Sequence, residues 1–175
     1  MDMDALERII GPAPYAAPRG AWDELRREFD VSLPPDFVAF TEAYGPGHIG
    51  DMLYVHHPVS PKLELGEFIR EWIDFARQVP VDEIPYPVGL GEGELIPVAS
   101  TSNGDIVYLF NGGADFGDWF VGVDSRCPDW FEYRMPYTDW VAALFSGTVG
   151  REYIADEWPP GSISTIKEED FWRYG

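Results

Sequence analysis

Apolar residues recur along this chain at two spacings, first every three to four positions and later every second position. The switch predicts helices followed by strands. Residues 2–10 read as a short helix stopped by Gly11-Pro12, and Pro14–Gly20 as an arm. Trp22, Leu25 and Phe29 fall at i, i+3 and i+7, the stripe of a second short helix with Arg26, Arg27 and Glu28 outside it. Ser32-Leu33-Pro34-Pro35 ends that helix and starts the next, because the N–H that proline lacks would have no intrahelical acceptor in a first turn. Phe37, Phe40, Thr41 and Tyr44 face inward, with Gly45 expected as a left-handed C-cap. Leu65, Phe68, Ile69, Trp72, Ile73 and Ala76 form the clearest apolar stripe, opposite Glu67, Arg70, Glu71, Asp74 and Arg77. They predict a helix of about three turns, over by Val79-Pro80.

Gly47–Val55 reads as a strand after a Gly-rich turn. Beyond the Pro/Gly-rich loop Pro80–Gly93 the period becomes two. Glu94–Ala99, Asp105–Phe110 and Asp118–Val123 read as strands, with Trp130–Met135 as a fourth. Thr101-Ser102-Asn103-Gly104 joins the first two, Asn-Gly supplying the positive-φ positions of a tight hairpin, and Asn111-Gly112-Gly113 opens the next connection. Tyr137, Trp140, Val141, Leu144 and Phe145 form a last helical stripe, with Gly147 past its end. Residues 151–175 lack a clear period, but Trp158, Phe171, Trp172 and Tyr174 predict that they dock. The order predicts an α+β fold: a central, mostly antiparallel sheet packed by helices, in one domain over residues 1–150 with a C-terminal extension over 151–175.

Composition narrows the function. With 45% hydrophobic and 15% aromatic residues, the 175-residue chain has material for a real core. Its formal charge of −19 disfavours nucleic acid and anionic membranes, both of which are gripped by Lys and Arg. One cysteine, Cys127, rules out an internal disulfide and a Cys-rich zinc site. There is no apolar run of about 18 residues, and the acidic start Met1–Leu6 carries no signal-peptide core; together these predict a cytoplasmic protein. Every quarter of the chain is net acidic. Between Arg77 and Arg126 there is no Lys, Arg or His, while Asp82, Glu83, Glu92, Glu94, Asp105, Asp115, Asp118 and Asp124 all fall there. Such a segment makes either a solvated face or a docking surface for a cationic protein.

Trp22-x-x-Leu25, Leu33-Pro34-x-Asp36-Phe37 and Tyr44-Gly45-x-Gly47 resemble the N-terminal signature of the SUKH superfamily, which joins fungal Smi/Knr-type regulators to bacterial immunity proteins. Leu95-Ile96-Pro97-Val98-Ala99, Gly104-Asp105, Asp118-Trp119-Phe120-Val121 and Trp140-Val141-x-x-Leu144-Phe145-x-Gly147 extend the resemblance over about residues 20–148. Tyr108-x-Phe110 stands where a Trp often follows the Gly-Asp strand, and residues after Arg151 have no counterpart in the pattern. The resemblance implies a non-enzymatic immunity protein that binds and neutralises a secreted toxin domain, often a nuclease. A regulatory or adaptor module of the Smi/Knr type is the alternative. The acidic balance suits an inhibitor of a basic toxin, since complementary charge speeds association.

Candidate chemistry is sparse. Adjacent strand residues point to opposite faces, so His56-His57 are poorly placed for one metal, and His48 lies eight residues earlier. Cys127-Pro128 has no base or orienting group in its surroundings. Gly45-Pro46-Gly47 and Gly89–Gly93 lack the strand, helix and Lys of a phosphate loop. Asp115, Asp118, Asp124 and Asp129 admit readings as a carboxylate pair or as calcium ligands, but no Asp-x-Asp-x-Asp-Gly loop is present. No catalytic, cofactor or metal residue is expected. Asp115, Asp118, Asp124 and Asp129 are the expected charged contacts for a cationic partner, with Trp130 as anchor. Packing of Trp130, Phe131 and Tyr133 under the last helix is the other reading of those aromatics.

Overall fold

Six of the seven strands follow one another across a single sheet in chain order, so that the switch in period becomes a meander. A computed structural model describes residues 3–15, 20–78, 84–126, 129–154 and 158–171. The strands are β1 (Gly47–Ile49), β2 (Leu53–Val55), β3 (Leu95–Thr101), β4 (Ile106–Phe110), β5 (Phe120–Ser125), β6 (Asp129–Tyr133) and β7 (Thr165–Lys167). Their spatial order is β6-β5-β4-β3-β2-β1-β7, and every neighbouring pair is antiparallel. The helices are α1 (Met3–Ile10), α2 (Trp22–Phe29), α3 (Pro35–Tyr44), α4 (Leu65–Gln78), α5 (Tyr137–Phe145) and the short α6 (Glu168–Phe171). The fold is α+β.

Strand alternation gives the sheet two different faces. Ile96, Ala99, Val107, Leu109, Val121, Val123 and Tyr133 point to one side, where they share a core with Leu6 and Ile10 of α1, Phe37 and Phe40 of α3, and Trp140, Val141 and Leu144 of α5. Each such buried Leu, Ile or Phe contributes about 1.5–3 kcal/mol relative to exposure. Leu95, Ile106 and Tyr108 point to the other side, under Phe68 and Trp72 of α4. This second layer covers only part of its face and leaves Phe110 and Trp130 half-buried there.

Tertiary contacts reset several local expectations. Gly47–Val55 is a hairpin and not one strand, because Gly50 (φ 61) and Asp51 (φ 50) turn the chain between β1 and β2. Gly45 is extended (φ −100) instead of left-handed. Its lack of a side chain serves a close approach, since a Cβ there would meet Val55 Cγ1 at 2.7 Å. Of Asn103-Gly104, only Gly104 has positive φ. The strand expected at Asp118 starts at Phe120 and runs through Asp124 to Ser125, and the one expected from Trp130 to Met135 spans Asp129–Tyr133. Asp105, expected among the surface acids, is buried: its carboxylate accepts from Thr101 Oγ1 (2.6 Å) and Arg126 N (3.2 Å), tying one turn to the next.

The motif aspartate Asp36 also has a local task. Helix α5 begins after Pro136 without a side-chain cap of its own, and Asp36 Oδ2, from the first turn of α3, accepts from Thr138 N at 3.0 Å. A carboxylate there satisfies a free N–H and faces the positive end of the helix.

The C-terminal extension joins the sheet. Trp158 is buried and donates to Leu144 O at 2.7 Å, and β7 pairs with β1. Gly47 permits this approach, because a Cβ there would meet Ile166 O at 2.5 Å. Buried Glu168 accepts from Ser60 Oγ (2.6 Å), Lys62 N (3.0 Å) and Leu63 N (2.8 Å). The expectations placed on Cys127, Trp172, Tyr174 and the side chain of Phe171 lie outside the described residues.

Candidate binding surface

The four expected acids do not form one cluster. Asp115 and Asp118 are exposed in the loop before β5, whereas Asp124 lies near the far end of that strand and exposed Asp129 opens β6. From Phe120 to Asp124 the strand spans about 13 Å, so the acids bracket β5 in two pairs. Asp129 pairs with Ser125 and points to the opposite side of the sheet from Asp124 and Trp130.

Trp130 does not pack under the last helix. It pairs with Asp124 on the outer face, away from α5, while Phe131 and Tyr133 take the α5 side. Its ring lies across Gly122, whose missing Cβ leaves the space that the Trp130 benzo ring fills. Trp130 Nε1 donates to Glu132 Oε1 at 3.1 Å, and the half-buried ring neighbours Tyr86 and Tyr108 at 6.3 and 6.1 Å. Residues 130, 132 and 134 alternate onto the same side. Arg134 pairs with Glu132 at 3.1 Å, and its guanidinium lies 4.6 Å above the centre of the Phe120 ring. Phe120 in turn stacks on Phe110 at 4.5 Å. The outer face of β4–β6 is thus an aromatic surface edged by Asp124 and Glu132, with α4 at one side carrying the exposed Phe75.

At the Phe120 end of the sheet a second feature appears that the sequence reading missed. Pro34-Pro35, Met135-Pro136 and the loop before β5 enclose a cleft of about 480 Å³ floored by Leu109, Phe120 and Tyr137. A neighbouring cleft of about 580 Å³ shares Pro35, Phe116 and Trp119 with it and is lined by Asp30 and Glu92. Phe116 separates the two and has φ 57. A bulky side chain in the left-handed region costs about 1–2 kcal/mol, and contacts within the loop itself hold it there. Asp115 Oδ1 accepts from Gly117 N (3.1 Å), Trp119 Nε1 donates to Gly113 O (2.7 Å), and the Phe116 and Trp119 rings sit 5.6 Å apart. The signal that pointed here was the run Gly112-Gly113-Ala114-Asp115-Phe116-Gly117-Asp118-Trp119, where glycines surround two aromatics.

Two buried tyrosines near these surfaces favour their neutral forms. Burial pushes the phenol of Tyr137 well up, and the nearby Asp36 charge adds to the effect. Tyr108, beneath Trp130, is raised by burial and secondarily by Asp124. All three histidines are buried. His57 Nε2 lies 3.5 Å from Glu42 Oε1, whereas His48 is on the outer face of β1, 3.6 Å from Asp51. Among the described residues no group of three or more His, Cys, Asp or Glu side chains is placed to hold a metal ion. None of the helices among those residues is long and apolar enough to cross a membrane. No family model, curated protein or solved structure matches the chain.

Proposed function

We propose that this protein is a SUKH-type immunity protein, a non-enzymatic cytoplasmic module that binds a basic secreted toxin domain and blocks it. The observation that carries the reading is charge: −19 overall, with acids at both ends of β5 beside an aromatic outer face. A cationic nuclease must present Lys and Arg where it grips phosphate, and an inhibitor covering that site presents carboxylates in their place. Long-range attraction between the two raises the association rate, which decides whether inhibition outruns damage. The resemblance noted in the sequence supports the same class. Its residues have structural tasks here: Asp36 caps α5, Gly45 and Gly47 permit close chain approach, and Asp105 ties two turns together.

Asp115, Asp118, Asp124, Asp129 and Trp130 are the proposed contacts, in two charged pairs around the aromatic face. The test is capture and inhibition with a panel of purified basic nuclease toxin domains, at about 0.05 M and about 0.5 M salt, where screening differs several-fold. The expected result is one domain bound and inactivated, with association slowed steeply by salt. Reversing either acid pair to Lys is expected to slow association about tenfold or more at low salt. Failure of every basic domain to bind, together with capture of one endogenous signalling protein, favours the adaptor alternative.

A further inference from the structure

We infer that the joined clefts around Phe116 receive an extended, arginine-bearing segment of the cationic partner, an inference that rests on the proposed partner being basic. Together the clefts offer about 480 and 580 Å³, each within the range that holds a small ligand or a few residues of chain. Three carboxylates, Asp30, Asp36 and Glu92, line them, and the one cation in the lining, Arg134, is already paired with Glu132. Exposed Asp115 and Asp118 stand in the loop that carries Phe116 and add two carboxylates at this end. The walls suit guanidinium in particular. Arg134 lies 4.6 Å above Phe120, whose ring also stacks on Phe110, so that ring is taken and the aromatic wall left for an incoming guanidinium is the Phe116–Trp119 pair. Phe116, at φ 57, lines both clefts with its ring 5.6 Å from that of Trp119.

The probe is the tripeptide Ac-Gly-Arg-Gly-NH2, titrated into the full chain and followed by amide and indole N–H chemical shifts. The expected result is saturable movement of the Trp119 indole and Gly117 amide signals with the arginine peptide and none with Ac-Gly-Gly-Gly-NH2. The lysine peptide is expected to bind about fivefold more weakly, since it cannot stack as a plane. Phe116→Gly, whose left-handed conformation suits glycine, is expected to weaken arginine binding about tenfold while leaving the far-ultraviolet dichroism unchanged. Equal binding by this variant, or shifts spread evenly over remote acids such as Asp23 and Asp74, overturns the inference. The broader reading fails separately. If a toxin domain is captured equally by Phe116→Gly, the immunity reading stands and the cleft falls. If the arginine peptide binds the cleft while no basic domain is captured, the cleft stands and the partner class falls.

Discussion

Acidification is expected to weaken this fold through a single imidazole. The His56 side chain is 7% exposed, both ring nitrogens are buried without a hydrogen-bond partner, and the ring stacks on Phe68 with centroids 4.0 Å apart. Desolvation pushes its pKa down from 6.5 to about 4. The unfolded chain therefore binds a proton between pH 6.5 and 4 that the native chain refuses. Stability is at its full value above pH 6.5 and falls as pH drops through that window, by about 3 kcal/mol in total and about 2 kcal/mol between pH 7 and pH 4.5. The assay compares wild type with His56→Leu by urea unfolding at both pH values. Other groups then contribute equally to both proteins, including His48, whose pKa is lowered by burial against an opposing contribution from Asp51. Wild type is expected to lose about 2 kcal/mol more than the variant, roughly 1 M in midpoint at a slope near 2 kcal/mol/M. At pH 7 the variant is expected to be at least as stable, because no buried imidazole nitrogen remains unpaired. Parallel losses in the two proteins would refute the reasoning, since they would mean that His56 is solvated or paired.

Other perturbations probe separate joints of the structure. Asp36→Ala removes the cap on α5 and is expected to cost about 1 kcal/mol, read as a lowered melting midpoint, with Asp36→Asn recovering part of it. Gly122→Val places a side chain where Trp130 lies. It is expected to cost about 1–3 kcal/mol and to red-shift tryptophan emission as the indole leaves the sheet. Glu168→Ala strips the carboxylate from Ser60, Lys62 and Leu63. A loss of about 2 kcal/mol is expected, with faster amide exchange at Lys62 and Leu63 and, once β7 loosens, at the β1 edge.

The periodicities were sufficient for the class and for most of the elements, though not for the β1–β2 hairpin, β7 or α6. An apolar residue at every third or fourth position can bury one side of α4, and alternation in β3–β5 can bury one face of a sheet, whatever surrounds them. Acidity was equally legible, because charge is a sum over residues and needs no coordinates. Places where segments distant in the chain meet were not legible. Gly45 is small because Val55 passes beside it, and Asp36 is acidic because the N–H of Thr138 in α5, 102 positions later, needs an acceptor. Asp105 is turned inward by Thr101 and by the backbone of Arg126, although its neighbours in sequence gave it the look of a surface acid. Asp115 and Asp118 are close to Asp124 along the chain, and β5 separates them to opposite ends of a strand. The cleft around Phe116 is assembled from three such segments, of which only the glycine-flanked run 112–119 stands out in the sequence. Local pattern determines which surfaces must be buried, since that depends on spacing alone. Which polar groups end up facing each other depends on how the elements stack, and only the tertiary structure decides it.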